Sequence, residues 1–277
     1  MQKIALPKKI EFKAGEDAGE GQIIIEPLYS GYGMTLGNPL RRILLSSLPG
    51  AAVIGVKIKG VSHEFMALPG IKDDVLEIIL NLKQLRLKMM GDEEEGSLVL
   101  KVKGKKKVTA ADIEKNTNIV VVNPDLLLAE LTEDNASLEM EIFVKEGRGY
   151  KMSEGGKRDN EIGYIEIDSI FSPVLSVSID VEDARVGKMT NWDKLILNIK
   201  TDKTITPQEA FEQSVEILVN QLSSLTVKDD SLEEAPEEEL VEEVSHEAEE
   251  EEKTEEEEKV EPVTKSKSAA PKKTKKK

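Results

Sequence analysis

The sequence predicts an α+β protein followed by a disordered, charged extension. Three observations predict it: apolar residues that alternate along several segments, three stretches with apolar residues three or four apart, and a glutamate-dominated run without aromatic side chains near the carboxy-terminal end. At 277 residues the chain can hold one large domain or two modest ones, and it is long enough to bury a core. With no cysteine, neither a disulfide framework nor a thiolate metal site is available. Met1 to Ile10 mixes Lys3, Lys8 and Lys9 with Pro7 and lacks the apolar stretch of a secretion signal. No run of about 18 apolar residues offers a membrane span, so a cytoplasmic protein is expected.

Taken in order, Gln22 to Leu28 carries Ile23, Ile24 and Ile25 and reads as a buried strand ending near Pro27, with a glycine-rich turn from Ser30 to Gly37 after it. Leu36, Leu40, Ile43, Leu44 and Leu48 then share one helical stripe. Pro39 is expected in the first turn, where its missing N–H costs little, and Pro49-Gly50 stops the helix. Arg41 and Arg42 point to different sides of that stripe, so they cannot both be core. A second helix is signalled by Asp74 and Glu77 as a capping pair ahead of Val75, Ile78, Ile79 and Leu82. Alternation at Val56 and Ile58, at Leu98, Leu100 and Val102, at Leu138 to Val144, and at Ile165 and Ile167 predicts half-buried strands. The unbroken run Ile119 to Val122 predicts a short strand buried on both faces, closed by Asn123-Pro124.

The third helix has the clearest signals. Thr206 as cap, Pro207 at the first helical position and Glu209 completing a capping box open it, and Phe211, Ser214, Val215, Leu218, Leu222 and Leu225 follow at helical spacing. Such a face needs a partner, and periodicity leaves open whether that is the chain's own sheet or a second copy.

Charge is uneven. Of the net −16, residues 229–277 account for −10, leaving −6 for residues 1–228. From Glu233 to Glu258 glutamate dominates and Pro236 interrupts any helix, so disorder is expected. The segment Lys265 to Lys277 reverses sign with seven lysines. It reads as a solvated tail, or as a weak, salt-sensitive contact to DNA phosphates.

Catalytic constellations are missing. Gly31, Gly33 and Gly37 lie between a strand and a helix, but no Gly-Lys-Ser/Thr ending follows and no acidic residue lies ~20 positions on, so a turn needing positive φ is expected in place of a nucleotide loop. His63 and His246 are the two histidines, and a metal or triad site in the folded part would have His63 alone, which reads as a surface residue. Glu139 and Glu141 read as the solvent face of a strand, and no aspartate cluster suits a pair of magnesium ions. No catalytic, cofactor or metal residue is assigned.

The segment Gly31-Tyr32-Gly33-Met34-Thr35-Leu36-Gly37-Asn38-Pro39-Leu40-Arg41-Arg42-Ile43-Leu44-Leu45-Ser46-Ser47 closely resembles the signature of the α subunit of bacterial RNA polymerase. His63-Glu64-Phe65, Asp74 to Lys83, Val108 to Ile113, Gly147 to Tyr150 and Asp193-Lys194-Leu195 match in the same order, so the resemblance covers nearly all of residues 1–228. It implies a split dimerisation domain from residues 1–49 and 173–228, a mostly β inserted domain at 50–172 and the charged tail at 229–277. It further implies a homodimer whose helices meet their copies through Leu36, Leu40, Ile43, Leu44, Phe211, Val215, Leu218 and Leu222, over a self-complementary area of about 2,000 Å² or more. By place in the motif Arg42 is expected to contact the beta subunit, with Arg41 and Lys83 as further candidates on the surface facing beta and beta-prime. The guanidinium fork suits such contacts.

The implied role is that of a non-catalytic member of a nucleotidyltransferase. It would dimerise and gather the beta, beta-prime and omega subunits, and would reach DNA only through the complex or weakly through the lysine tail. Two departures stand out. Pro39 replaces a small helix former, and nothing after Asp229 reads as the family's small helical module for upstream promoter DNA, so that activity is not expected here. A freestanding DNA-binding or dimeric scaffold protein is the alternative, although residues 1–228 are net acidic and show no basic reading element. A freestanding enzyme would need a site that the sequence does not show.

Overall fold

Two large antiparallel sheets and two two-stranded ones, β6-β8 and β10-β12 in the numbering that follows, organise residues 4–91, 93–153, 163–187 and 189–225, which the computed structural model describes. In chain order they hold β1 (Lys9–Ala14), β2 (Glu20–Leu28), α1 (Tyr32–Ser46), β3 (Pro49–Ile58), α2 (Val75–Leu82), β4 (Leu87–Met89) and β5 (Glu95–Lys103). There follow β6 (Lys106–Thr109), a 3-10 turn at Ala110–Asp112, β7 (Ile119–Val121), β8 (Leu127–Leu131), β9 (Ser137–Arg148) and β10 (Tyr150–Lys151). Then come β11 (Tyr164–Glu166), β12 (Ser169–Ile170), β13 (Val174–Val186), β14 (Met189–Thr201) and α3 (Pro207–Ser224). The fold is α+β. The expectations for the tail at 229–277, His246 included, lie outside the described residues.

The first sheet runs β1-β2-β14-β13, so strands far apart in sequence become neighbours. Its inner face places Ile23 and Ile25 of β2 beside Leu197 and Leu195 of β14, and α1 and α3 cover that face. Leu28, Leu40, Leu44, Leu48, Ile199 and Phe211 complete this core. β1 and the β13–β14 hairpin are strands that periodicity did not single out.

The second sheet runs β5-β9-β3-β4-β7, with β11 against β3, and has its own core. Leu138, Met140, Ile142 and Val144 alternate inward along β9 and meet Leu98, Leu100 and Val102 of β5, as period two requires. Val75, Ile78, Ile79 and Leu82 bury one face of α2 in the same core. Arg86 and Asp202 approach to 3.8 Å between the second sheet and the end of β14.

Four expectations need correction. Val120 is 42% exposed, because β7 is the last strand of its sheet and only one face meets the core. Asp74 holds the cap position of α2, but its side chain makes no capping bond. Pro39 lies inside α1, which begins at Tyr32, well before the predicted first turn. Of the three glycines, only Gly31 has positive φ, at 85°. Gly33 and Gly37 are helical, and a Cβ at Gly33 would stand 2.8 Å from Val181 Cγ1 while one at Gly37 would stand 3.1 Å from Ile179. They let the helix lie close on β13 and β14.

Candidate assembly surface

α1 is positioned at both ends by distant residues. At its start the N–H groups of Gly31 and Gly33 both donate to Asp193 Oδ2 at 2.9 Å, so a carboxylate from β14 supplies the cap that the local sequence lacks. Tyr29 and Trp192 meet edge to face beside this contact, with ring centroids 6.0 Å apart. At the far end Ser172 Oγ donates to the Leu45 carbonyl at 3.0 Å. Proline at position 39 withholds an N–H from the Thr35 carbonyl, and Thr35 is exposed, so water is at hand for that acceptor.

α3 opens as its sequence predicts. Glu209 N–H donates to Thr206 Oγ1 at 3.2 Å, and Thr206 N–H donates to Glu209 Oε2 at 3.0 Å. The Thr206 N–H, and after it the Thr206 hydroxyl, hold the Glu209 carboxyl below the usual carboxylate range. The first turns of α3 bury Ala210, Phe211 and Ser214, whereas every residue from Val219 to Leu225 is exposed. The helix therefore overhangs its own core, carrying Val219, Leu222 and Leu225 into solvent.

That geometry divides the eight residues expected at a dimer contact. Leu40, Leu44 and Phe211 are buried inside the chain's own core and offer little surface to a partner. Leu36, Val215 and Leu218 are half-buried against the same core, and Ile43 is half-buried. Leu222 alone among the eight is exposed. Apolar residues that the sequence reading missed are open as well: Ile4, Leu6, Ile10 and Phe12. Ile10 and Phe12 pair with Ile25 and Ile23, so they lie on the helix-bearing face of the sheet, and the Phe12 ring meets Phe211 at 6.0 Å. The alternation of apolar residues at 4, 6, 10 and 12 was the signal.

The three cations differ. Arg41 and Arg42 are exposed on α1, and neither side chain has a hydrogen bond or ion pair to a described residue. Lys83, at the end of α2, is instead held within the chain, with Nζ 3.1 Å from Asp168 Oδ2. Asp168 Oδ1 also accepts the Ser153 N–H at 2.8 Å. That backbone donor, then Lys83, lowers the Asp168 carboxyl to about 2. Lys83 is thus first an intramolecular partner. His63 is exposed, and Glu139 lies on the outer side of β9, bonded to Lys59. Among the described residues no group of three or more His, Cys, Asp or Glu side chains could hold a metal ion, and no helix is long and apolar enough to cross a membrane.

Comparison with known proteins adds two findings. The family model described as the RNA polymerase Rpb3/RpoA insert domain matches residues 56–172. A protein of Alkaliphilus metalliredigens named DNA-directed RNA polymerase subunit alpha is 45% identical over 232 residues, which cover 83% of this chain and 73% of that protein.

Proposed function

Because the chain belongs to the family of DNA-directed RNA polymerase alpha subunits, we propose that it acts as a homodimeric platform on which the larger subunits assemble. It is a non-catalytic subunit of this nucleotidyltransferase. The overhanging end of α3 carries the dimer reading: Val219, Leu222 and Leu225 stand clear of the protein's own core at helical spacing. Three exposed apolar side chains in one row on a helix are costly unless covered. A second copy brings the same row to the same place across a twofold axis. The open Ile4, Leu6, Ile10 and Phe12 extend the surface on the sheet's inner face.

The domain reading follows the sheets. Residues 1–49 and 173–228 form the dimerisation domain and residues 50–172 the inserted one; the family match to 56–172 and the separate core of the second sheet support this. Arg42, with Arg41 beside it, is the contact offered to the beta subunit, since both guanidinium groups are exposed and uncommitted among the described residues. Lys83 contributes to the surface facing beta and beta-prime only by sharing its ammonium with Asp168. Beta, beta-prime and omega complete the complex, which brings DNA to the chain.

Light scattering on the purified chain, alone and after addition of beta and then beta-prime, tests the reading. The mass of a dimer that grows stepwise is expected. A stable monomer at micromolar concentration overturns it.

A further inference from the structure

The segment Lys101-Val102-Lys103-Gly104-Lys105-Lys106-Lys107 joins β5 to β6 and carries five lysines and no acid, in a chain whose net charge is −16. All five are exposed, and Gly104 turns the chain between them at φ 82°. Val102 and Val108 point into the core, so the fold anchors the segment while holding its cations outward.

The carboxylates that accompany these lysines lie lower. Glu139 is bonded to Lys59 at 2.8 Å and feels Lys103 and Lys101, and its side chain is 29% exposed against 75% for Lys59. Glu130 is bonded to Lys72 at 3.1 Å and feels Lys107 and Lys105, at 29% against 65%. Asp112 pairs with Lys106, at 19% against 51%. Each of these acids is less exposed than the lysine it pairs with. The exposed acids are Glu114, 3.6 Å from Lys101, and Glu133 and Asp134 on the turn beside Gly70 and Gly104. Lys103, Lys105 and Lys107 form no ion pair with a described residue. A polyanion approaching this rim meets ammonium groups first.

We propose that this lysine rim is a sequence-independent docking surface for the phosphate backbone of duplex DNA. Lysine acts as a mobile point charge that neutralises phosphate without reading bases. Residues 98–113 hold no aromatic side chain on which an unpaired base could stack, which favours a duplex over a single strand. A DNA-directed polymerase keeps such a duplex close by.

The test uses the full chain with the lysines of 265–277 changed to glutamine in every arm, so that only the rim differs. Fluorescence anisotropy of a labelled duplex is followed across a potassium chloride series. K103Q/K105Q/K107Q is expected to reduce the slope of log affinity against log salt by ~2.7, since each phosphate contact contributes ~0.9. K103R/K105R/K107R is expected to keep the parent slope, and K105Q alone to lose ~0.9. Circular dichroism melting checks that the exposed substitutions leave the fold intact. An unchanged slope in both glutamine variants overturns the proposal, as does rim-dependent binding that favours single-stranded RNA or polyglutamate over the duplex.

Discussion

Substitution at Leu222 separates a dimer contact from ordinary core packing. Its side chain is part of the overhang of α3, and the residue is 54% exposed in the single chain. Burying a whole leucine contributes about 2 to 3 kcal/mol, so covering the exposed half contributes ~1 kcal/mol per copy. A twofold interface counts that twice, so Leu222→Ala should weaken the dimer by ~2 kcal/mol, or ~30-fold in Kd. Leu222→Asp should cost more, because it sets an unpaired carboxylate in an apolar contact beside its own symmetry copy. Sedimentation equilibrium across a concentration series reads the dimer constant, and far-ultraviolet circular dichroism reads the fold. Leu44→Ala is the contrast: this residue is fully buried within the chain, so the variant should lose about 3 to 5 kcal/mol of folding stability whatever the state of the dimer. A folded Leu222→Asp protein that dimerises as tightly as the parent refutes the assignment.

Arg42→Ala should leave the dimer intact and, as the loss of a central arginine contact, reduce capture of beta by ~30-fold, read by pull-down or titration; capture at the parent level contradicts the assignment. Gly33→Ala should destabilise by about 1 to 3 kcal/mol, seen as a lowered Tm, because its methyl would stand 2.8 Å from Val181 Cγ1 on a helix pinned by Asp193. Asp168 predicts an acid limb: its pKa falls from 3.8 to about 2 on folding, so the stability it adds is complete above pH 3.8 and lost as pH falls through 2. Solvent access at the Lys83 pair reduces that contribution to ~1 kcal/mol, so urea midpoints between these pH values should drop less steeply in Asp168→Asn.

What the sequence disclosed followed from local signals. α3 was legible because Thr206, Pro207 and Glu209 are adjacent and its apolar spacing is regular. β9 was legible because Leu138, Met140, Ile142 and Val144 point inward and alternate with Glu139, Glu141 and Lys145, Phe143 being the one apolar residue between them on the other face. The start of α1 was not, since its cap is Asp193, some 160 residues away, and no local pattern points there. β14 escaped notice although Leu195, Leu197 and Ile199 alternate, and its partner β13 hides behind Glu182 and Asp183 in a largely exposed strand. Periodicity identified the apolar faces of α1 and α3 but could not say which part of each meets the chain's own sheet. Arg42 entered through the resemblance, because one exposed arginine on a helix has no distinguishing pattern of its own.

The same long-range pairing explains why the assembly surface needs both ends of the folded chain. α1 lies on β13 and β14, is capped by a residue of β14, and is tied near its end by Ser172, just before β13. β14 in turn pairs with β2, which leads into α1. The direction in which Arg41 and Arg42 project is therefore set by strands that follow the second sheet in sequence. A surface of this kind becomes complete only after the return of the chain, so partner capture by residues 1–49 alone is not a property the fold provides. In a twofold dimer both copies present the same arginines, yet two unlike large subunits break the symmetry. On the proposed reading one copy of Arg42 meets beta while its duplicate faces another surface, and the frame of β2, β13 and β14 gives both copies the same pose.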